Sequence, residues 1–162
     1  VPNQPLTLTL YPNHYGMGYL ISETPKEIIN YGIARIQPVS RKIYLKRLKS
    51  FIQRYQPDLI ILKGFEGDYR ISKRVQKVVR EFMNQAEQLD IKVHQYTRDE
   101  IKEVFEQFGK NTTKYGINSS IAKWYPELIP KLPDIRRNDK NEDYFMGIFD
   151  AFSLMLTHHY LT

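Results

Sequence analysis

The side chains able to bind a metal ion or move a proton are few and widely spaced. Asp150 is the one acid in an apolar C-terminal stretch, Gly147–His159. Asp143 lies seven residues earlier, so on a helix it shares roughly the same face but sits about 10 Å away along the axis. Glu66 and Asp68 belong to a segment, Gly64–Asp68, whose two glycines mark it as a loop. Hydrolysis of phosphodiesters with two magnesium ions needs several converging carboxylates, because magnesium takes hard oxygen ligands in near-octahedral geometry. These acids supply at most a displaced site, Asp150 with Asp143, Glu66 or Asp68, and loop acids among many bases more often form ion pairs. His158 and His159 point about 100° apart on a helix and do not chelate one ion together. Near a C-terminus they are expected to complement the helix dipole. No Gly-rich phosphate loop and no Ser–His–Asp spacing stands out. The chain has no cysteine, which excludes disulfides and thiolate metal sites and fits a reducing compartment.

Charge is more informative than any single residue. The 162-residue chain carries a net +6, but the stretch Arg41–Arg80 holds twelve Lys or Arg against Asp58, Glu66 and Asp68. That stretch is therefore +9 and the remainder −3. A cluster this asymmetric makes a field that attracts phosphate backbones, with steep salt dependence. Its alternative role is to solvate the outer faces of two helices. Hydrophobic content of 41% with 13% aromatic residues is that of a folded chain, and the length is that of one domain, residues 1–162. No run approaches eighteen apolar residues, and the N-terminus lacks the basic–apolar–small pattern of a signal peptide, so the expected address is cytoplasmic, with no membrane partner.

These side chains must be held by a scaffold, and the hydropathy pattern outlines one. Leu6–Tyr11 alternates apolar and hydroxyl residues, as a strand does, and Pro12–His14 reads as a turn. Met17–Ser22 and Glu27–Ile36 follow as second and third strands of an antiparallel meander. Ser40 caps a helix to Tyr55, with Tyr44, Leu48, Phe51, Ile52 and Tyr55 at helical spacing. Leu59–Leu62 is an apolar run expected in a strand buried on both faces. A helix over 71–89 has Ile71, Val75, Val78, Val79, Phe82, Ala86 and Leu89 on its expected inner stripe. Its first half carries Lys73, Arg74, Lys77 and Arg80 outside, and Arg70 just before. A strand over 91–96 and a helix over 98–108 come next, then a polar hinge over 109–114. A short helix over 118–125, a loop over 126–143 and a final helix over 144–160 complete the order. Three strands followed by helix–strand alternation give an α/β layer fold with a mixed sheet.

That order, with four local patterns, resembles the RuvC-type Holliday junction resolvases of the RNase H-like superfamily. The family's first strand ends Asp-Pro-Gly and soon reaches Gly-Tyr; here stand Tyr11-Pro12-Asn13 and Gly18-Tyr19. Its fourth strand is an apolar run ending in Glu, often before Gly; here Leu59–Leu62 ends in Lys63-Gly64. Its fifth strand leaves through Tyr-Thr into a charged helix, as Tyr96-Thr97 does. Its final helix carries two ligands three residues apart, the second followed by Ala; here these are Gly147 and Asp150-Ala151.

The resemblance implies an α/β, RNase H-like (RuvC-like) mixed five-stranded sheet flanked by helices, covering nearly the whole chain. It also implies ligand positions Tyr11, Lys63, Gly147 and Asp150, of which only Asp150 keeps a carboxylate. The expectation is therefore a protein without nuclease activity and without a cofactor. Magnesium enters only if a displaced site of Asp150, Asp143 or Glu66 works. The protein would bind nucleic acid, with branched DNA as the form the resemblance implies, through Arg70, Lys73, Arg74, Lys77 and Arg80. Lys63 and Asp150 are expected to form an ion pair where metal would sit, with Tyr11 donating to the same oxygens, and His14 would face the cleft. A homodimer is implied by resemblance alone. Two other classes stay open: a magnesium-dependent endonuclease with a displaced carboxylate site, and a non-enzymatic scaffold whose basic helices meet an acidic protein.

Overall fold

The computed structural model describes residues 5–13, 16–36, 40–66, 68, 71–109, 112–132 and 140–162, with the backbone alone over 140–144. Five strands, β1 (Thr7–Asn13), β2 (Gly16–Thr24), β3 (Glu27–Arg35), β4 (Leu59–Lys63) and β5 (Lys92–Tyr96), form one sheet in the order β3-β2-β1-β4-β5. The first three make the expected antiparallel meander, while β4 pairs in parallel with both β1 and β5. The sheet is therefore mixed, with β1 at its centre.

Helices cover both faces. On one side α1 (Arg41–Tyr55) and α2 (Lys73–Gln88) bury Tyr44, Leu48, Val78, Val79, Phe82 and Ala86 against Leu8, Leu10, Ile60 and Leu62 of the sheet. On the other, α3 (Arg98–Glu106), α4 (Lys114–Trp124) and α5 (Lys140–Leu161) enclose a core with Ile61, Phe149, Phe152 and Met155. Burial from both sides explains two features of sequence. β4 is apolar at consecutive positions because Ile60 and Ile61 belong to opposite cores. The hydroxyls of β1 face protein rather than water, and Thr9 is fully buried.

Four local expectations are corrected. Pro12 and Asn13 continue β1 instead of turning, paired with Met17 and Gly16. Proline is tolerated there because the β1–β4 ladder ends at Leu10↔Leu62, so no ladder bond is lost on that side. The Tyr44 hydroxyl reaches the Asn13 and Gly16 carbonyls, at 2.6 and 2.9 Å, and secures both sides of this hairpin end. α4 starts at Lys114, inside the expected hinge, because the Thr113 hydroxyl accepts from the Gly116 N–H and caps it. Pro126–Lys131 is a short 3-10 helix rather than loop, and α5 already begins at Lys140. α3 ends at Glu106, two residues early. Among the described residues no helix is long and apolar enough to cross a membrane.

Candidate functional site

Adjacent parallel strands bring Tyr11 and Lys63 together. The register Leu10↔Leu62 places the next residues of β1 and β4 side by side at the carboxyl end of β4. The Lys63 ammonium donates to the Tyr11 hydroxyl at 2.8 Å and to Asp68 Oδ2 at 2.9 Å. It also lies 5.2 Å from the centre of the Tyr11 ring. The side chains of Lys63 and Asp68 are only 10% and 5% exposed, so this ion pair is shielded from solvent.

The expected Lys63–Asp150 ion pair is thus replaced by two others. The β4–α2 loop folds back over five residues, a short closure of low entropic cost, and its Asp68 takes the ammonium. Asp150 instead meets the Lys114 ammonium at 3.6 Å, from the first residue of α4. Tyr11 accepts from Lys63 in this arrangement. Burial pushes the Asp150 carboxyl above the usual carboxylate range; Lys114 first, and then Lys63, pull it partly back. Lys63 therefore feels Asp150 through space without pairing with it.

Gly147 is where α5 touches the sheet. It faces Gly18, the ladder partner of Tyr11. A Cβ on Gly18 would lie 2.0 Å from the Gly147 carbonyl oxygen, and a Cβ on Gly147 would lie 3.3 Å from the Gly18 amide nitrogen and Cα. The two glycines let backbone meet backbone at a point where the resemblance calls for a carboxylate.

Around these residues lies a cleft of about 60 Å³. Its other walls are Arg98 and Lys102 of α3, and Lys114 and Asn118 of α4. Among the described residues, four cations and one carboxylate, Asp150, line it. Magnesium does not suit this donor set: a phenol is a poor ligand, glycine offers none, and an ammonium repels the ion. Among the described residues no three His, Cys, Asp or Glu side chains gather as a metal site. Glu66 is exposed on its loop and does not line the cleft. The displaced site is not assembled from Asp150, Glu66 and Asp68, whose carboxylate is held by Lys63. The Asp143 side chain, His14 and Arg70 lie outside the described residues.

Of the expected phosphate-contacting residues, the four that are described lie on the outer side of α2. Lys73, Arg74, Lys77 and Arg80 are exposed, while Val75, Val78, Val79 and Phe82 between them are buried. α2 follows β4, so its basic first turn starts from the end of the sheet that carries Lys63. Arg41 of α1 is engaged with Glu81 of α2 at 2.8 Å. The cleft cations of α3 and α4 were not singled out by sequence. Arg98 and Lys102 stand four residues apart, a spacing that puts both on one helix face, and Thr113 is a readable cap.

His158 does not serve the helix dipole. Its Nδ1 is 2.7 Å from the Tyr96 hydroxyl, its ring packs beside His94, and burial drives its pKa from 6.5 down to about 4. A neutral imidazole at physiological pH offers the helix end no charge.

No family model matches the chain, and no curated protein sequence does. Solved structures do match in fold. Thermus thermophilus RuvC superposes with a TM-score of 0.68 at 11% identity over 96% of this chain and 93% of that one. T. thermophilus RuvC in complex with Holliday junction substrate gives 0.64 at 13% identity, again over 96% and 93%. The yeast mitochondrial Holliday junction resolvase Ydc2 gives 0.62 at 11% identity over 98% of this chain and 80% of that one. The fold is RuvC-like, as the sequence patterns implied.

Proposed function

We propose that this chain binds nucleic acid, with branched DNA as its preferred form, and holds phosphate without cutting it. The observation that carries this reading is the cleft at the ends of β1 and β4, where, among the described residues, Lys63, Arg98, Lys102 and Lys114 face Asp150 and, with Asp68 paired to Lys63, leave an excess of two positive charges. Such a cavity attracts a phosphodiester directly, through charge-assisted hydrogen bonds from ammonium and guanidinium donors. It offers a magnesium ion little, and without metal neither an activated water nor a stabilised leaving oxygen is generated. The exposed cations of α2 extend the same positive field beyond the cleft. A RuvC fold solved with Holliday junction substrate supports the choice of branched DNA.

Labelled four-way junction, duplex and single strand, titrated in EDTA across a salt series, test the proposal. Junction binding should persist in EDTA and weaken linearly in log K against log salt. The junction should remain intact in millimolar magnesium or manganese. Metal-dependent nicking would overturn the non-catalytic reading, and absence of binding to all three forms at low salt would overturn the nucleic-acid reading.

A further inference from the structure

We infer that the α1 side of the sheet carries a second site, separate from the cleft, for a nucleotide: a phosphate held by arginines, with a planar base against aromatic rings. A groove of about 310 Å³ lies where α1 crosses β2 and the edge strand β3, a volume within the range of small-ligand sites. Arg35 enters from the end of β3, and Arg47 and Arg54 from positions two turns apart on α1, about 10 Å along its axis. Among the described residues no acidic side chain lines the groove. Guanidinium forks match phosphate oxygens in geometry as well as charge, and three around one concavity favour an anion with several oxygens.

The aromatic wall consists of Tyr19, Phe51 and Tyr55. Tyr19 and Phe51 are 4.8 Å apart between ring centres, and Phe51 stacks on Tyr55 at 6.4 Å and 27°. The Arg54 guanidinium sits 5.2 Å from the centre of the Tyr55 ring, and the Asn30 amide donates to the Tyr55 hydroxyl at 3.0 Å. Tyr19 reaches the groove because its ladder partner is Gly32: a Cβ there would lie 2.6 Å from the Tyr19 hydroxyl. Covering a strand glycine accounts for Tyr19 alone. It leaves unexplained why the exposed guanidiniums of Arg47 and Arg54 line a polar hollow next to those rings, with Arg35 at its rim. Cationic rims with aromatic walls are how single nucleotides and unpaired strands are held. The groove shares no lining residue with the cleft, which opens on the opposite side of the sheet.

The ligand is either a free nucleotide or one residue of an unpaired strand, and titration separates the two. Thymidine 5′-monophosphate, inorganic phosphate and a short oligothymidylate are titrated calorimetrically against the wild type, Arg47→Glu/Arg54→Glu and Lys73→Glu/Arg74→Glu/Lys77→Glu. Circular dichroism melts check that each variant folds. Wild type should bind the monophosphate, or the oligonucleotide alone if the source is a strand, and either more tightly than phosphate. The α1 double variant should lose at least about tenfold in affinity for the monophosphate or oligonucleotide, about 1.4 kcal/mol. For the monophosphate, the α2 triple variant should lose little. Equal affinity for phosphate and the monophosphate would overturn the base contact, and unchanged binding by a folded α1 double variant would overturn the site. A wild-type dimer that this double variant turns into monomers, with no nucleotide binding by either, would show the groove to be a self-interface and overturn the inference. Because the α2 triple variant tests the proposed nucleic-acid surface, failure of one reading is visible apart from the other.

Discussion

Lys63 and Asp68 exchange charge where neither is well hydrated, so each protects the other from an uncompensated buried charge. Lys63→Met should destabilise the protein in chemical denaturation, since it takes a compensating charge away from a buried carboxylate. Adding Asp68→Asn should restore much of that loss, whereas adding Asp150→Asn to Lys63→Met should act nearly additively, because Asp150 pairs with Lys114. A large coupling to Asp150 instead would place the ion pair where the sequence reading put it. That reading found the right lysine but the wrong acid: chain patterns identify which residues border the sheet end, not which loop carboxylate folds back first. His158 gives a second residue-scale expectation. Its native pKa of about 4 lies below the ordinary 6.5, so the unfolded chain binds more protons between those values and stability falls as pH drops through that window. The contribution present above pH 6.5 is at most about 3 kcal/mol. His158→Gln, which keeps an acceptor for Tyr96, should flatten the melting temperature between pH 6.5 and 4, and a wild-type profile no steeper than the variant's would refute this.

At the scale of elements, α5 meets β2 backbone to backbone at the Gly18–Gly147 contact, and this explains why a position to which the resemblance assigns a ligand is hard to fill with a side chain. Gly147→Asp brings a Cβ to 3.3 Å from the β2 backbone before any carboxylate is placed, so α5 must move by a few tenths of an ångström. A loss of about 1–3 kcal/mol is expected, as for other overpacked contacts. Gly18→Ala should be worse than Gly147→Ala, because its Cβ meets a carbonyl oxygen at 2.0 Å that cannot rotate away. Comparable melts for the two alanine variants would argue against the close approach. The glycines themselves were visible in sequence, but their meeting across a helix and a strand was not. Elements defined by periodicity were readable, as Leu59–Leu62 and the α2 stripe show. Those defined by caps were shifted: α4 starts after Thr113's cap rather than at Asn118, so Lys114, a wall of the cleft, fell in the expected hinge.

Across the whole molecule, the mixed sheet separates two cationic features that one net charge conceals. Three cleft cations, Arg98, Lys102 and Lys114, come from α3 and α4, whereas the +9 stretch supplies Lys63 and gives α1 and α2 their outer charge. Not all of that charge is available: Arg41 is already paired with Glu81, so Arg41→Ala should weaken nucleic-acid binding less than a change at the start of α2. Lys73, Arg74 and Lys77 project from the first two turns of a helix that follows β4 and its terminal Lys63. Replacing all three with Glu should cost at least about tenfold in junction affinity, roughly 1.4 kcal/mol. If each cation contacts one phosphate, its loss removes one released counterion, and the slope of log K against log salt should become shallower by about 2.7 units. A Lys102→Ala/Lys114→Ala variant, altering the cleft alone, should flatten the slope by no more than about 1.8 units. Measuring junction affinity for both variants over the same salt series decides between a path along α2 and one confined to the cleft. An unchanged slope in the α2 variant would mean that those exposed cations solvate the helix and that the bound backbone runs elsewhere.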